Sequence, residues 1–253
     1  MTGLLRRIFR LAAIAAFLPI TLPAYLVFRV RGVRDGAPPG VRWLRWMLRC
    51  SLSIVGGRLS VIGVPPRSGL IVSNHLSYID IAVLGSSCPC SFVSKAEVGA
   101  WPFIGWAAGL AGTVFVRRAH RSEVSGQVED IKNALGRGVP VVLFPEGTST
   151  DGSQVLPFRS ALLQAALETG CDVTPVALRY RADSSGDTVK DICWWGGVGF
   201  LPHLWRFLAL RSFEATVAFG PSRLSTGDRK SEAVRLRTET LSLLTEISSS
   251  RST

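Results

Sequence analysis

The hydrophobic and polar positions along the chain fall into two regimes. Over residues 1–50 the dominant feature is one long apolar stretch, Leu11 to Phe28, broken only by Pro19, Thr21 and Pro23. About 20 apolar residues suffice to cross a bilayer core, so this stretch predicts a membrane-associating helical segment. The two prolines should kink or split it, and a bent hydrophobic hairpin or an interfacial insertion suits them better than a straight span. Arg31 to Gly40 reads as a connector rich in glycine, proline and charge. In the run Arg42–Arg49, Trp43, Trp46 and Met47 recur at helical spacing between arginines. Such a pattern suits an interfacial amphipathic helix with aromatic anchors and, equally, a helix packed on a core.

From residue 59 the pattern changes. Apolar runs of strand length alternate with longer segments of helical period. Strands are predicted at Leu59–Ile62, Leu70–Ser73, Ser91–Ser94, Thr113–Val116, Val139–Phe144, Val173–Arg179 and Phe213–Phe219. Helices are predicted at Ser77–Gly85, Pro102–Leu110, Glu123–Leu135, Ser160–Glu168 and Lys230–Ile247. Strands separated by helices favour an α/β fold with a mixed, largely parallel sheet flanked by helices. The apolar, tryptophan-rich segment Trp194–Leu210 reads as a second membrane-facing element or a lid, and residues 248–253 as a disordered tail. No internal repeat is visible. Three units follow: a hydrophobic and amphipathic segment over 1–50, one domain over 51–247, and the tail.

Charge sharpens this picture. The net charge of +11 calls for an anionic partner such as lipid headgroups, nucleic acid or an acidic carrier protein. Residues 1–50 hold nine arginines against one acid, Asp35, with Arg6, Arg7 and Arg10 before the apolar stretch and Arg29, Arg31 and Arg34 after it. Arginines on both flanks suit a monotopic segment on an anionic leaflet and do not fit a cleaved signal peptide. Because the basic residues gather around apolar segments, no nucleic-acid partner is expected. The cysteines at 50, 88, 90, 171 and 193 are odd in number and form no C-x-x-C pair, so they read as unpaired thiols in a reducing compartment. With histidines only at 75, 120 and 203, no metal site is expected. The absence of any G-x-S-x-G elbow argues against a serine hydrolase.

Three constellations carry candidate chemistry. In the first, Asn74 to Asp80, His75 follows a predicted strand at the edge where α/β sheets place their ligands. Five residues on one helix turn through about 140°, so His75 and Asp80 meet only if His75 lies in the loop and Asp80 in the first helical turn. There the carboxylate could hold one ring nitrogen and leave the other to take a proton from a hydroxyl. The competing reading is a capping box, with Ser77 and Asp80 closing the helix start. The second constellation, Phe144 to Thr148, follows the strongest predicted strand, and Glu146 could bind a polyol or order the site; an ordinary strand-to-loop turn is the bland alternative. The third, Gly112 to Arg118, is a strand emptying into two arginines, with His120 and Arg121 next. It offers phosphate or carboxylate recognition, or simply a solvated charged turn.

Taken together, the three resemble the glycerolipid, lysophosphatidate-type acyltransferases. That family's histidine-x4-aspartate block is matched by His75 and Asp80, its second block by Gly112, Phe115 and Arg118, and its third by Phe144 to Thr148. Its fourth, a hydrophobic pair around a proline, is matched by Val173, Pro175 and Val176. The resemblance implies acyl transfer without a covalent acyl-enzyme: His75 as general base, Asp80 orienting it, and Arg118, Glu146, Gly147, Thr148 and Arg159 holding the acceptor. It implies no cofactor; acyl-CoA or acyl carrier protein is the donor substrate, a lysolipid the acceptor. It also places the enzyme among membrane lipids, at the cytoplasmic face of the inner or plasma membrane.

The departures bear on the acceptor. Ser149 stands where the family often has an arginine, Arg117 where it often has an aspartate, and Arg159-Ser160 where many members have lysine and glycine. The leading expectation is conversion of lysophosphatidate to phosphatidate. The alternative is acylation of lyso-ornithine lipid or another lysolipid, because Thr150-Asp151-Gly152, Trp194-Trp195-Gly196 and Leu201-Pro202-His203-Leu204 look similar to the lyso-ornithine lipid acyltransferase branch. A non-catalytic basic membrane-binding protein is the remote third reading.

Overall fold

The computed structural model describes residues 2–34, 36–116, 124–184 and 186–249. The apolar stretch and the arginines before it form one helix, α1 (Gly3–Val30), which runs through Pro19 and Pro23 without splitting into a hairpin. Each proline removes one backbone donor, the one that would serve the carbonyl of Ala15 or of Pro19, and two side-chain bonds are made to other carbonyls of the same stretch. Thr21 Oγ1 donates to the Leu18 carbonyl at 2.6 Å, and the Trp43 indole N–H donates to the Thr21 carbonyl at 2.8 Å. By length and composition α1 can cross a membrane.

Helix α2 (Pro39–Ile54) opens on a proline at its first position, where the missing N–H has no intrahelical acceptor to lose. Trp43 is fully buried, edge-on to Tyr25 of α1, and Met47 is buried with it. The run Arg42–Arg49 is therefore part of a core-packed helix.

The sheet contains β1 (Gly57–Ile62), β2 (Leu70–Ser73), β3 (Ser91–Lys95), β4 (Val114–Val116), β5 (Val141–Leu143), β6 (Asp172–Ala182), β7 (Phe213–Phe219) and β8 (Arg223–Leu224). Its order is β1-β7-β6-β2-β5-β3-β4, with β8 beside β6. Only β6–β7 and β6–β8 pair antiparallel, so the sheet is mixed and largely parallel as expected. The helices that follow are α3 (Ile79–Ser87), α4 (Ala96–Gly99), α5 (Ile104–Leu110), α6 (Val124–Leu135), α7 (Gln164–Thr169), α8 (Phe200–Phe207) and α9 (Arg229–Ser249). Alternate residues on one strand serve opposite cores. Ile71 packs with Trp43, Leu84 and Phe213, whereas Leu70 and Val72 pack with Ile131, Leu163 and Leu236. Both faces are thus covered, which is why these strands are continuous apolar runs. The segment Trp194–Leu210 contains α8. The final helix includes Ser248 and Ser249; residues 250–253 lie outside the described residues.

Candidate active site

Strands β2, β5 and β6 run parallel as neighbours, so their carboxyl ends reach one edge of the sheet. The segments that follow β2 and β5 are Asn74–Tyr78 and Phe144–Thr148, and the pairing brings them side by side. His75 lies in the first loop and Asp80 in the opening turn of α3, the arrangement their spacing required. The His75 Nδ1 is 2.7 Å from Asp80 Oδ2. That same oxygen accepts the backbone N–H groups of Leu76 at 2.7 Å and Ser77 at 3.1 Å, so Asp80 both caps the helix start and holds the imidazole. Asp80 is fully buried, whereas the His75 side chain keeps 22% exposure. The ring stacks on Phe144 at 4.3 Å between centroids, and its Nε2 has no protein partner among the described residues.

Glu146 is nearly buried, and both its oxygens are occupied by backbone. Oε1 accepts the His75 N–H at 2.7 Å and Oε2 accepts the Leu156 N–H at 2.8 Å. Burial raises its carboxyl above the usual range, against the lowering pull of these two N–H groups. The Thr150 N–H closes the frame on the His75 carbonyl at 2.9 Å. Gly147 takes φ +74°, and a side chain there would meet the Arg159 guanidinium at 2.9 Å. Glycine thus lets an exposed arginine lie flat over the loop. Thr148 is exposed on the same loop. Arg118 lies outside the described residues, as do Arg117, His120 and Arg121.

A further wall comes from the segment Trp194–Leu210. Trp194 donates its N–H to the Leu76 carbonyl at 2.9 Å, and its own carbonyl accepts the Ser149 hydroxyl. Tyr78, three residues after His75, meets Trp194, Phe200 and His203 edge-on at 5.7, 5.1 and 5.5 Å. Its hydroxyl lies 3.1 Å from His203 Nδ1.

Comparison with known proteins matches this arrangement to a family. Residues 61–179, which include both loops, fit the family model described as Acyltransferase. A lyso-ornithine lipid O-acyltransferase of Pseudomonas aeruginosa is 36% identical over 92% of this chain and 92% of its own length. The chain belongs to the acyltransferase family. Another lyso-ornithine lipid O-acyltransferase, from Rhodobacter capsulatus, is 40% identical over 68% of this acyltransferase and 64% of its own length. A 1-acyl-sn-glycerol-3-phosphate acyltransferase of Neisseria gonorrhoeae is 34% identical over 61% of the chain and 60% of its own. The crystal structure of a Thermotoga maritima 1-acyl-sn-glycerophosphate acyltransferase shares the fold, with a TM-score of 0.66 at 20% identity over 96% of each chain.

Against the sequence expectations, the acyltransferase brings His75, Asp80, Glu146, Gly147 and Arg159 into one cluster. Glu146 stands apart from the others because its carboxylate is filled by backbone donors and aims at no open space. Three neighbours of the dyad were given no role by sequence: Phe144, inside a motif block, as the stacking plate; Tyr78, inside another, as the link to α8; and Tyr180, outside both, whose hydroxyl donates to Asp80 Oδ1 at 2.6 Å. Tyr180 lies 100 residues beyond Asp80 on another strand, and no local spacing signals it. Two cavities, of about 500 Å³ beside α7 and the start of α9 and about 250 Å³ beside β6 and β7, are lined by neither loop.

Proposed function

We propose that this acyltransferase moves an acyl chain from a thioester donor to the hydroxyl of lyso-ornithine lipid, with His75 as general base. Asp80 holds His75 through Nδ1, and the exposed Nε2 takes the hydroxyl proton. The alkoxide attacks the thioester carbonyl, and fixed donors stabilise the tetrahedral oxyanion. The C–S bond then breaks, and the imidazolium returns its proton to the departing thiolate. Acyl-CoA or acyl carrier protein serves as donor. Arg159, Thr148, Gly147 and Arg118 hold the acceptor head, while Glu146 acts by fixing the His75 backbone.

One observation carries the choice of acceptor. The segment Trp194–His203 packs on Tyr78 beside the base and ties down Ser149, at the position where a phosphate-binding arginine is often found. An ornithine headgroup offers a carboxylate where lysophosphatidate offers a phosphate monoester, so it needs less cationic charge there. The relatives bearing the lyso-ornithine name support this reading, which reverses the order of acceptors that the motifs alone favour. Lysophosphatidate is the second reading, favoured by the Arg159 guanidinium over Gly147 and by the neisserial relative. We place the reaction at the cytoplasmic face of a membrane, with α1 as the lipid-associating element.

The test is to incubate membranes carrying the wild type or His75→Ala with each acceptor and each donor, and to resolve the lipid products by mass. Acylated ornithine lipid made only by the wild type supports the proposal. Phosphatidate as the sole product moves the acceptor to the second reading. Turnover by His75→Ala at the wild-type rate removes His75 as the base.

A further inference from the structure

The histidine–aspartate pair has a third member on a different strand. Asp80 Oδ2 is filled by the imidazole and two backbone N–H groups. Its other oxygen, Oδ1, accepts the hydroxyl of Tyr180 at 2.6 Å. In a fully buried carboxylate each oxygen needs a donor, because an unpaired buried acceptor costs the whole desolvation penalty.

The sheet explains why a tyrosine from β6 arrives there. Ser73, the last residue of β2, pairs with Val176, and β6 continues to Ala182. The Asn74 side chain extends the pairing by one step: its amide donates to the Leu178 carbonyl at 3.1 Å and accepts the Leu178 N–H at 2.7 Å. Tyr180 is two residues further on, so its side chain falls on the same face of the sheet as those of Val176 and Leu178. That face carries α3 and the core containing Phe213 and Ile192.

We propose that Tyr180 is a positioning residue for acyl transfer: its hydrogen bond fixes the plane of the Asp80 carboxylate and moderates the pull of that carboxylate on His75. This rests on the reading of His75 as the base. With Oδ1 held by the phenol, Oδ2 is presented to the imidazole and to the N–H groups of Leu76 and Ser77 together. The phenol also draws off part of the negative charge that would otherwise stabilise an imidazolium.

Among the described residues, three elements bring a titratable group to this cluster. Glu146 approaches from the loop after β5, Tyr78 from the start of α3, and Cys193 from the segment after β6. Asp151 and Asp187 act on Cys193 from farther out. Burial, followed by the charge of Asp80, lifts the Tyr180 phenol well above its ordinary value, so it remains a donor throughout any assay range. Burial likewise lifts the Cys193 thiol to about 12, so that group stays neutral. Burial raises the Tyr78 phenol as well, and it raises the Glu146 carboxyl above its ordinary value.

Two changes at one position give opposite signs. Tyr180→Phe removes the donor and keeps the ring. It should lower kcat roughly tenfold to a hundredfold, the effect expected of losing a hydrogen bond to a charged group, with the acceptor KM within about twofold. Left with more charge, Asp80 holds the imidazolium longer, so the acid limb of the kcat–pH profile should move to higher pH. Site-specific 3-fluorotyrosine at 180 is a stronger donor of nearly the same shape and should move the limb to lower pH. If both proteins fold and neither kcat nor the limb changes, Tyr180 is a core residue only and the proposal fails. Should Tyr180→Phe not fold, the fluorinated protein decides alone, since a fixed limb there overturns the proposal. His75→Ala is assayed alongside: residual turnover at the wild-type rate would remove the base, whereas an inactive His75→Ala with unmoved Tyr180 profiles would remove only this inference.

Discussion

Helix α1 and the loop Asn74–Tyr78 use hydrogen-bonding groups in opposite ways. In the loop the polar groups named above are matched inside the protein: the Asn74 amide to Leu178, the His75 N–H to Glu146, the His75 carbonyl to Thr150, and the Asp80 carboxylate to four donors. Helix α1 bonds its backbone largely within itself, apart from the donors its two prolines lack, and leaves Leu5, Phe9, Ile20, Leu22 and Leu26 exposed. Its hold on the body includes arginines near its start. Arg10 donates to the carbonyls of Leu208, Leu210 and Arg211, and Arg7 to that of Trp205. Arg10 itself is buried, and its guanidinium is lowered from its ordinary value chiefly by that burial. The loop shows how a side chain is fixed on one side only: the His75 backbone and Nδ1 each have a partner, while the Nε2 edge keeps its exposure. The helix shows how an apolar element is fastened without being covered, so its surface stays available to a lipid phase.

The largest effect should come from removing the carboxylate that anchors the loop. Asp80→Asn replaces the acceptor of the imidazole N–H and favours the wrong tautomer; kcat should fall by about 10⁴, measured by acyl transfer in membranes, with membrane association unchanged. Next, Arg10→Met leaves two buried carbonyls and one part-buried one without their cation. Loss of about 1–3 kcal/mol of stability is expected, read as a drop in Tm in detergent, with kcat at low temperature reduced less than in Asp80→Asn. On the exposed face of α1, the double change Leu22→Asp with Leu26→Asp should shift the protein from the membrane pellet to the supernatant and leave its Tm nearly unchanged. A pellet fraction equal to that of the wild type would show that this face does not meet lipid.

The smallest expected effect is a slope. Burial raises the Glu146 carboxyl in the folded protein, so the folded state binds this proton more tightly than the unfolded state does. The stability this contributes is fully present below the unfolded carboxylate range and is lost as pH rises through the raised folded value. Glu146→Gln removes the proton site, so the difference in Tm between wild type and variant should favour the wild type most at the acid end and shrink toward neutrality. A difference that grows with pH would mean that the two backbone N–H groups outweigh burial.

Much of the fold could be read from local pattern, and the strands illustrate why. Leu70–Ser73 and Phe213–Phe219 were predicted to the residue because the first is an apolar run ending in a serine and the second alternates Phe213, Ala215 and Val217 with Glu214 and Thr216 before Gly220 closes it. Arg223–Leu224 was missed, since two residues carry no period. The hairpin expected at Pro19 and Pro23 does not form: α1 runs through both prolines as one helix, and the Trp43 indole of the next helix packs on it, donating to the Thr21 carbonyl between them.

The site divides along the same line. Residue type and spacing by themselves determined the histidine–aspartate contact, because a histidine five positions before an aspartate meets it across a strand-to-helix junction, and the chain builds that junction at residues 73–79. They also determined which loops carry the family's blocks. Tertiary structure alone decided what surrounds the pair: Tyr180 on Asp80, Phe144 under His75, Glu146 turned to the backbone, and α8 against Tyr78. Those partners come from strands and helices far apart in the chain. Their meeting depends on strand order and register, which arise from how the two apolar faces of the sheet are buried and leave no mark in the spacing of any one segment.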